Sequence, residues 1–235
     1  ARNLWHNALG PAPLALHTGL GDGTFGAPIE LTTSLSPELG LLRLARPVDL
    51  GGGVPRDLVV VTSGDPVNGV PARLWVVDFD GDGFSIAQTL DVPDDPQDIV
   101  VEDLDGDGPC DVVLSFLDGT LRVFTADGAG GLEAASELSV GDAASDLEVA
   151  DLDADGHLDL IAVASDEVAV LAGQGDGTFV AGPGVSATPF EIRLADADGD
   201  GAPDLIANRV VGAFPNTTNE LDAYRGFCDG ASGRP

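Results

Sequence analysis

Apolar residues recur along the chain in short segments of period two: Leu14 and Leu16, Leu74 and Val76, Leu121 and Val123, Val168 and Val170. Such alternation predicts β-strands. Each segment runs into a glycine-rich turn: Gly21-Asp22-Gly23-Thr24-Phe25, Gly81-Asp82-Gly83-Phe84, the degraded Asp127-Gly128-Ala129-Gly130-Gly131-Leu132, and Gly175-Asp176-Gly177-Thr178-Phe179. These turns predict hairpins, with the Phe or Leu directed back into the core. A second kind of strand signal opens with Asp and continues as an apolar run, as in Asp111-Val112-Val113-Leu114, Asp159-Leu160-Ile161-Ala162 and Asp204-Leu205-Ile206-Ala207. No stretch shows a helical period, and 32 Gly with 16 Pro work against one.

The two signals alternate, so one repeat reads as four strands. In residues 142–188 these are Leu147 to Ala150, Asp159 to Ala164, Val168 to Leu171 and Phe179 to Val185. Four short antiparallel strands in ~40–50 residues predict a β-propeller blade. The expected fold is therefore all-β: a single propeller domain over 1–235, with about five blades at 1–40, 41–93, 94–141, 142–188 and 189–228 and a tail at 229–235. The middle three blades are complete. The first offers three strand candidates, Asn3 to Ala8, Pro13 to Thr18 and Ala27 to Thr33, and the last offers Phe190 to Ala195, Asp204 to Arg209 and Glu220 to Arg225. Either the ring closes by pairing its terminal strands, or neighbouring chains or further residues complete it.

Between the first and second strands stands the most chemical feature of the sequence. Asp103-Leu104-Asp105-Gly106-Asp107-Gly108-Pro109-Cys110-Asp111 recurs as Asp151-Leu152-Asp153-Ala154-Asp155-Gly156-His157-Leu158-Asp159 and as Asp196-Ala197-Asp198-Gly199-Asp200-Gly201-Ala202-Pro203-Asp204. Carboxylates fall at positions 1, 3, 5 and 9, with Gly at position 6 in all three copies. Four such groups in nine residues repel one another unless solvated or neutralised, and Ca²⁺, with ~6–8 oxygen ligands in a forgiving geometry, fits them. Mg²⁺, which keeps its waters, fits less well. The loops are not EF-hands, because position 12 holds Leu114, Ala162 and Ala207 rather than Glu. A fourth copy, Asp49 to Asp57, keeps only the first and ninth Asp and is expected not to bind calcium. Asp78 to Gly83 imitates the first half of the pattern, but it has Ile86 at position 9 and falls at a hairpin turn.

Charge narrows the partners. The chain has 40 acidic residues against 10 Arg and no Lys, a net charge of -30, which argues against nucleic acid or an anionic membrane. About three bound Ca²⁺ would leave -30 + 6 = -24. No apolar run approaches the ~20 residues of a membrane span. Cys110 and Cys228 allow one disulfide, and two separate thiols are equally compatible with the sequence.

The Asp-x-Asp-x-Asp-Gly-x-x-Asp loops, together with the Gly-Asp-Gly-Thr-Phe turns, resemble FG-GAP or VCBS repeats, the blades of integrin-α-type β-propellers. The resemblance spans about residues 3–227. It implies a calcium loop between the first two strands of a blade, with side-chain ligands at positions 1, 3, 5 and 9 and a backbone carbonyl at position 7. Carried over, these are Asp103, Asp105, Asp107, Pro109 and Asp111; Asp151, Asp153, Asp155, His157 and Asp159; and Asp196, Asp198, Asp200, Ala202 and Asp204. His157 would act through its carbonyl rather than its imidazole.

The expected function is that of a calcium-stabilised module, secreted or at the cell surface, that binds or adheres to a protein or glycan, or serves as a scaffold. Millimolar extracellular calcium suits loops of this kind. The longer second-to-third connections, Thr62 to Ala72 and Arg209 to Asn219, lie on the face opposite the calcium loops. They offer Asn68, Phe214, Asn216 and Asn219 for recognition, or are simply tolerated loop expansions. Trp5 and Trp75 are candidates for sugar stacking, although Trp75 fits packing between blades better. Alternatives are a subunit of a surface or filament assembly completed by copies of itself, and a lectin or polysaccharide-active module. Catalysis is not expected, since His6, His17 and His157 have no nucleophile beside them and the closest carboxylates are assigned to calcium.

Overall fold

The computed structural model describes residues 15–30, 41–51, 57–64, 69–79, 83–93, 96–186, 191–197 and 202–208. The described strands, in chain order, are β1 (Ala15–Leu16), β2 (Ile29–Glu30), β3 (Leu41–Val48), β4 (Asp57–Ser63), β5 (Ala72–Phe79), β6 (Phe84–Val92), β7 (Pro96–Glu102), β8 (Asp111–Phe116), β9 (Thr120–Ala126), β10 (Leu132–Ser139), β11 (Leu147–Ala150), β12 (Asp159–Val163), β13 (Val168–Gly173), β14 (Phe179–Ala181), β15 (Glu191–Ala195) and β16 (Asp204–Asn208). They form three four-stranded sheets, β3–β6, β7–β10 and β11–β14, and two two-stranded ones, β1–β2 and β15–β16. Neighbours in each sheet follow chain order without a crossover, as the antiparallel four-strand repeat predicts.

Two compact units are defined by contact, one of 1–47 with 56–94 and one of 48–55 with 95–235. In the first, Val60, Trp75 and Val77 form a buried cluster against Ala45, Leu58 and Phe84. Trp75 is therefore core rather than a sugar platform, and its indole N–H donates to the Thr62 hydroxyl at 3.2 Å. Trp5 and the strand candidates at Asn3 to Ala8 and Glu220 to Arg225 lie outside the described residues.

In the second unit, successive sheets stack face to face, and strand sequence explains why. In the two four-stranded sheets of this unit the second strand is buried throughout: all six residues of β8 and all five of β12. Along β12, Leu160 and Ala162 join a core shared with Leu104, Val113, Leu121, Val123, Leu147 and Phe179. The alternate residues Ile161 and Val163 face Ile192, Leu194 and Leu205 of the following sheet. A strand covered on both sides needs an uninterrupted apolar run, whereas the edge strand β10 is buried only at Leu132 and is half-buried or exposed along the rest of its length.

The fourth strand of the 142–188 repeat is shorter than expected. Regular pairing of β14 ends at Ala181, where Pro183 has no N–H to donate. A single bridge between Val185 and Val168 resumes it. The turn between β8 and β9 needs its glycine: Gly119 has φ of 81°, and a side chain there would run into the carbonyl of Gly141 on the next connection. No helix among the described residues is long and apolar enough to cross a membrane.

Candidate metal centres

The first-to-second strand loops bring their carboxylates together. Asp103, Asp105 and Asp111 each offer an oxygen within 4.8 Å of the other two, and so do Asp151, Asp153 and Asp159. The position-9 residue is the buried anchor in both sites, with Asp111 1% and Asp159 4% exposed. Asp111 Oδ2 accepts the N–H of Leu104 at 3.0 Å, closing the loop on itself, and its Oδ1 accepts the N–H of Ala126 at the end of β9 at 2.9 Å. Asp159 repeats this with Leu152 at 2.9 Å and with Gly173, the last residue of β13, at 2.9 Å. One carboxylate thus joins the start of the second strand, the loop and the end of the third strand.

The remaining oxygens shape the loop. Asp103 accepts the N–H groups of Gly106 at 2.8 Å and Gly108 at 3.1 Å, and Asp151 accepts those of Asp155 and Gly156, each at 3.1 Å. The loop's own backbone N–H groups thus hold the position-1 carboxylates inside the turn. Position 5 is placed differently: Asp107 and Asp155 are exposed and stand outside the three-carboxylate groups, and Asp155 Oδ1 accepts the N–H of His157 at 2.8 Å. The His157 imidazole lies against Gly175 of the neighbouring hairpin turn, which leaves the backbone as the part of position 7 that belongs to the loop.

Electrostatics match a centre that wants a cation. Burial pushes the Asp111 carboxyl up to about 6 against the lowering effect of its two N–H donors, and Asp105 and Asp107 add repulsion. Partial loss of hydration in the crowded loop, then repulsion and hydrogen bonding from Asp105 and repulsion from Asp103, raise Asp107 as well. A hard divalent ion would remove this repulsion, and the all-oxygen donor set fits Ca²⁺.

The third loop is described at its two ends. Ala197 N–H donates to Asp204 Oδ2 at 2.9 Å, the same bond that closes the other two loops. Asp198, Asp200 and Gly201 lie outside the described residues, and Ala202 is exposed. In the degenerate copy, Asp49 Oδ1 accepts the N–H of Gly51 at 3.0 Å, and the Asp49 carbonyl accepts the N–H of Cys110 at 2.7 Å. Of the look-alike turn, Asp78 is exposed, whereas Asp80 and Asp82 lie outside the described residues. Cys110 is disulfide-bonded, and the other cysteine of the sequence, Cys228, lies outside the described residues.

Sequence reasoning missed a second set of carboxylates, on or next to the first strands of successive sheets. Asp98 Oδ2 accepts the N–H of Leu147 at 3.0 Å, joining β7 to β11, and Asp146 Oδ2 accepts the N–H of Ile192 at 2.8 Å, at the start of β15. The signal was there: Asp98, Asp146 and Glu191 each stand five residues before the first Asp of their loop, and Leu44 holds that place in the degenerate repeat.

Sheets repeated in one order, with an acidic loop in one register, define an all-β repeat protein with candidate divalent-cation centres. The family model of the FG-GAP-like repeat matches residues 103–162 and 151–207, so the chain carries two copies of that repeat. No curated protein matches the chain.

Proposed function

We propose that this chain forms a calcium-stabilised β-propeller that works outside the cell as a binding, adhesion or scaffold module for a protein or glycan. The observation that carries the proposal is the recurrence of the three-carboxylate centre, in one register, in two successive repeats. The stacking of consecutive sheets through both faces of β12, with first strands adjacent, supports the propeller. Each ion would be held by the Asp side chains of its loop and would supply positive charge where these repel. The chain's own part is to fix the hairpin: the position-9 Asp ties loop, second strand and third strand together, so the cation rigidifies a whole blade end. Recognition then falls to the opposite face, where the β4–β5 connection is long and the Leu117–Gly119 turn is short. Asn68, Phe214, Asn216 and Asn219, assigned to that face, lie outside the described residues. Binding rather than catalysis is proposed because the closest carboxylate groups are accounted for by the cation.

A second reading, a subunit completed by copies of itself, is favoured by one observation: Phe25 and Leu20 of the β1–β2 hairpin are exposed. Melting and light scattering, each in calcium and in chelator, test both. We expect a lower melting temperature in chelator, and in Asp153→Ala a loss of most of the calcium-dependent gain at its own site. Unchanged melting in calcium and chelator would overturn the metal reading, and a calcium-dependent increase in mass would favour assembly.

A further inference from the structure

The first-strand carboxylates converge where β11 meets β15. Asp146 leads into β11, and Glu148 lies on it; Asp98 faces them from β7; Glu191 and Arg193 face them from β15. Arg193 is shared, at 2.6 Å from Glu191, 3.3 Å from Glu148 and 3.5 Å from Asp146. Asp98 is already engaged by the N–H groups of Leu147 and Ile99. Three carboxylates contact one guanidinium and Asp98 adds a fourth beside Asp146 and Glu148, so full ionisation would leave -4 + 1 = -3 in a partly buried junction. Of the three carboxylates that contact Arg193, Asp146 has the longest contact and the least exposed side chain, at 18%. Its bond to Ile192 does not require charge, because a neutral carboxyl still accepts an N–H through its carbonyl oxygen.

We propose that the β11–β15 junction is a proton-operated clasp, in which Asp146 holds a proton that relieves the crowding of carboxylates around Arg193, so that the two repeats hold more firmly in mildly acidic than in alkaline medium. Burial, followed by repulsion from Asp98 and Glu148 and against the pull of Ile192 N–H and Arg193, lifts the Asp146 carboxyl from 3.8 to about 7. The folded chain then binds this proton more tightly than the unfolded one. The associated stability is complete below about 3.8 and is lost as pH rises through about 7. This runs opposite to the usual carboxylate, whose paired form is lost in acid. It is independent of the calcium reading, since none of the five residues is assigned to a metal loop.

Carboxyl ¹³C NMR on the whole chain in saturating calcium tests this without a variant. We expect the Asp146 signal to titrate with a midpoint near 7, and a midpoint near the ordinary 3.8 would overturn the clasp. Asp146→Asn supplies the second arm, because it keeps shape and acceptor but cannot ionise. Its melting temperature relative to the parent should rise between pH 5 and pH 8.5. A difference that stays constant over that range, or falls, would also overturn the proposal.

Discussion

The pentapeptide Gly-Asp-Gly-Thr-Phe occurs twice, at 21–25 and at 175–179, once in each compact unit. Locally the two copies are the same object. Asp22 and Asp176 each accept the N–H and hydroxyl of the Thr two residues on, and the turns close by Leu20 N–H to Thr24 O and Gln174 N–H to Thr178 O, both at 3.0 Å. Their first and second glycines all have positive φ, between 73° and 89°. Yet Phe179 is 8% exposed and Phe25 71%. The turn is written in five residues. The burial is written in the neighbouring repeat, whose Thr125 methyl comes against the 175–179 turn.

The sharpest way to break the comparison is to truncate both rings. Phe179→Ala should cost about 3–5 kcal/mol in urea denaturation, and Phe25→Ala within about 0.5 kcal/mol. Equal losses would mean that Phe25 is covered in solution, as the assembly reading requires. Calcium removal should separate the units next. At free calcium of ~100 Kd a site contributes about 2.7 kcal/mol, and that protection should vanish from β8, β9, β12 and β13 in hydrogen exchange. Strand β4 should keep its protection, because Gly51 and Gly53 replace the carboxylates of its loop. Uniform loss across both units would contradict this division. The smallest difference between the units is expected at the glycines. Gly21→Ala and Gly175→Ala both place a side chain at positive φ, at about 1–2 kcal/mol, and only Gly175→Ala must also displace the His157 imidazole. Melting of Gly175→Ala should therefore fall a little further; equal falls would mean that the imidazole yields freely.

What the sequence revealed follows the same division between local and neighbour-dependent structure. The order of strands in the 142–188 repeat was legible because period-two segments and Asp-led apolar runs each mark a strand, and β11, β12 and β13 form where they predict. The loops were legible because repulsion among like charges leaves few explanations for a spacing repeated three times. Their buried anchor was not: nothing in the spacing distinguishes Asp111 or Asp159 from the outer carboxylates until β9 and β13 supply N–H donors. Nor was the direction of Phe25, which was expected to face the core like the Phe or Leu of every such turn and is instead exposed. The carboxylates at Asp98 and Asp146 were masked by their setting, since an Asp before an apolar strand reads as a solvated end, and its acceptor role depends on a backbone almost fifty residues away.

Each four-stranded sheet is one unbroken stretch of chain, laid down strand beside strand. A ribosome therefore releases a finished sheet about every 47 residues, before the next has begun. Closing these hairpins spans short loops, so the entropy of bringing distant segments together is largely deferred to the stacking step. The same topology makes the repeat a unit of genetic insertion: a copy can be gained or lost at a repeat boundary without rethreading any strand.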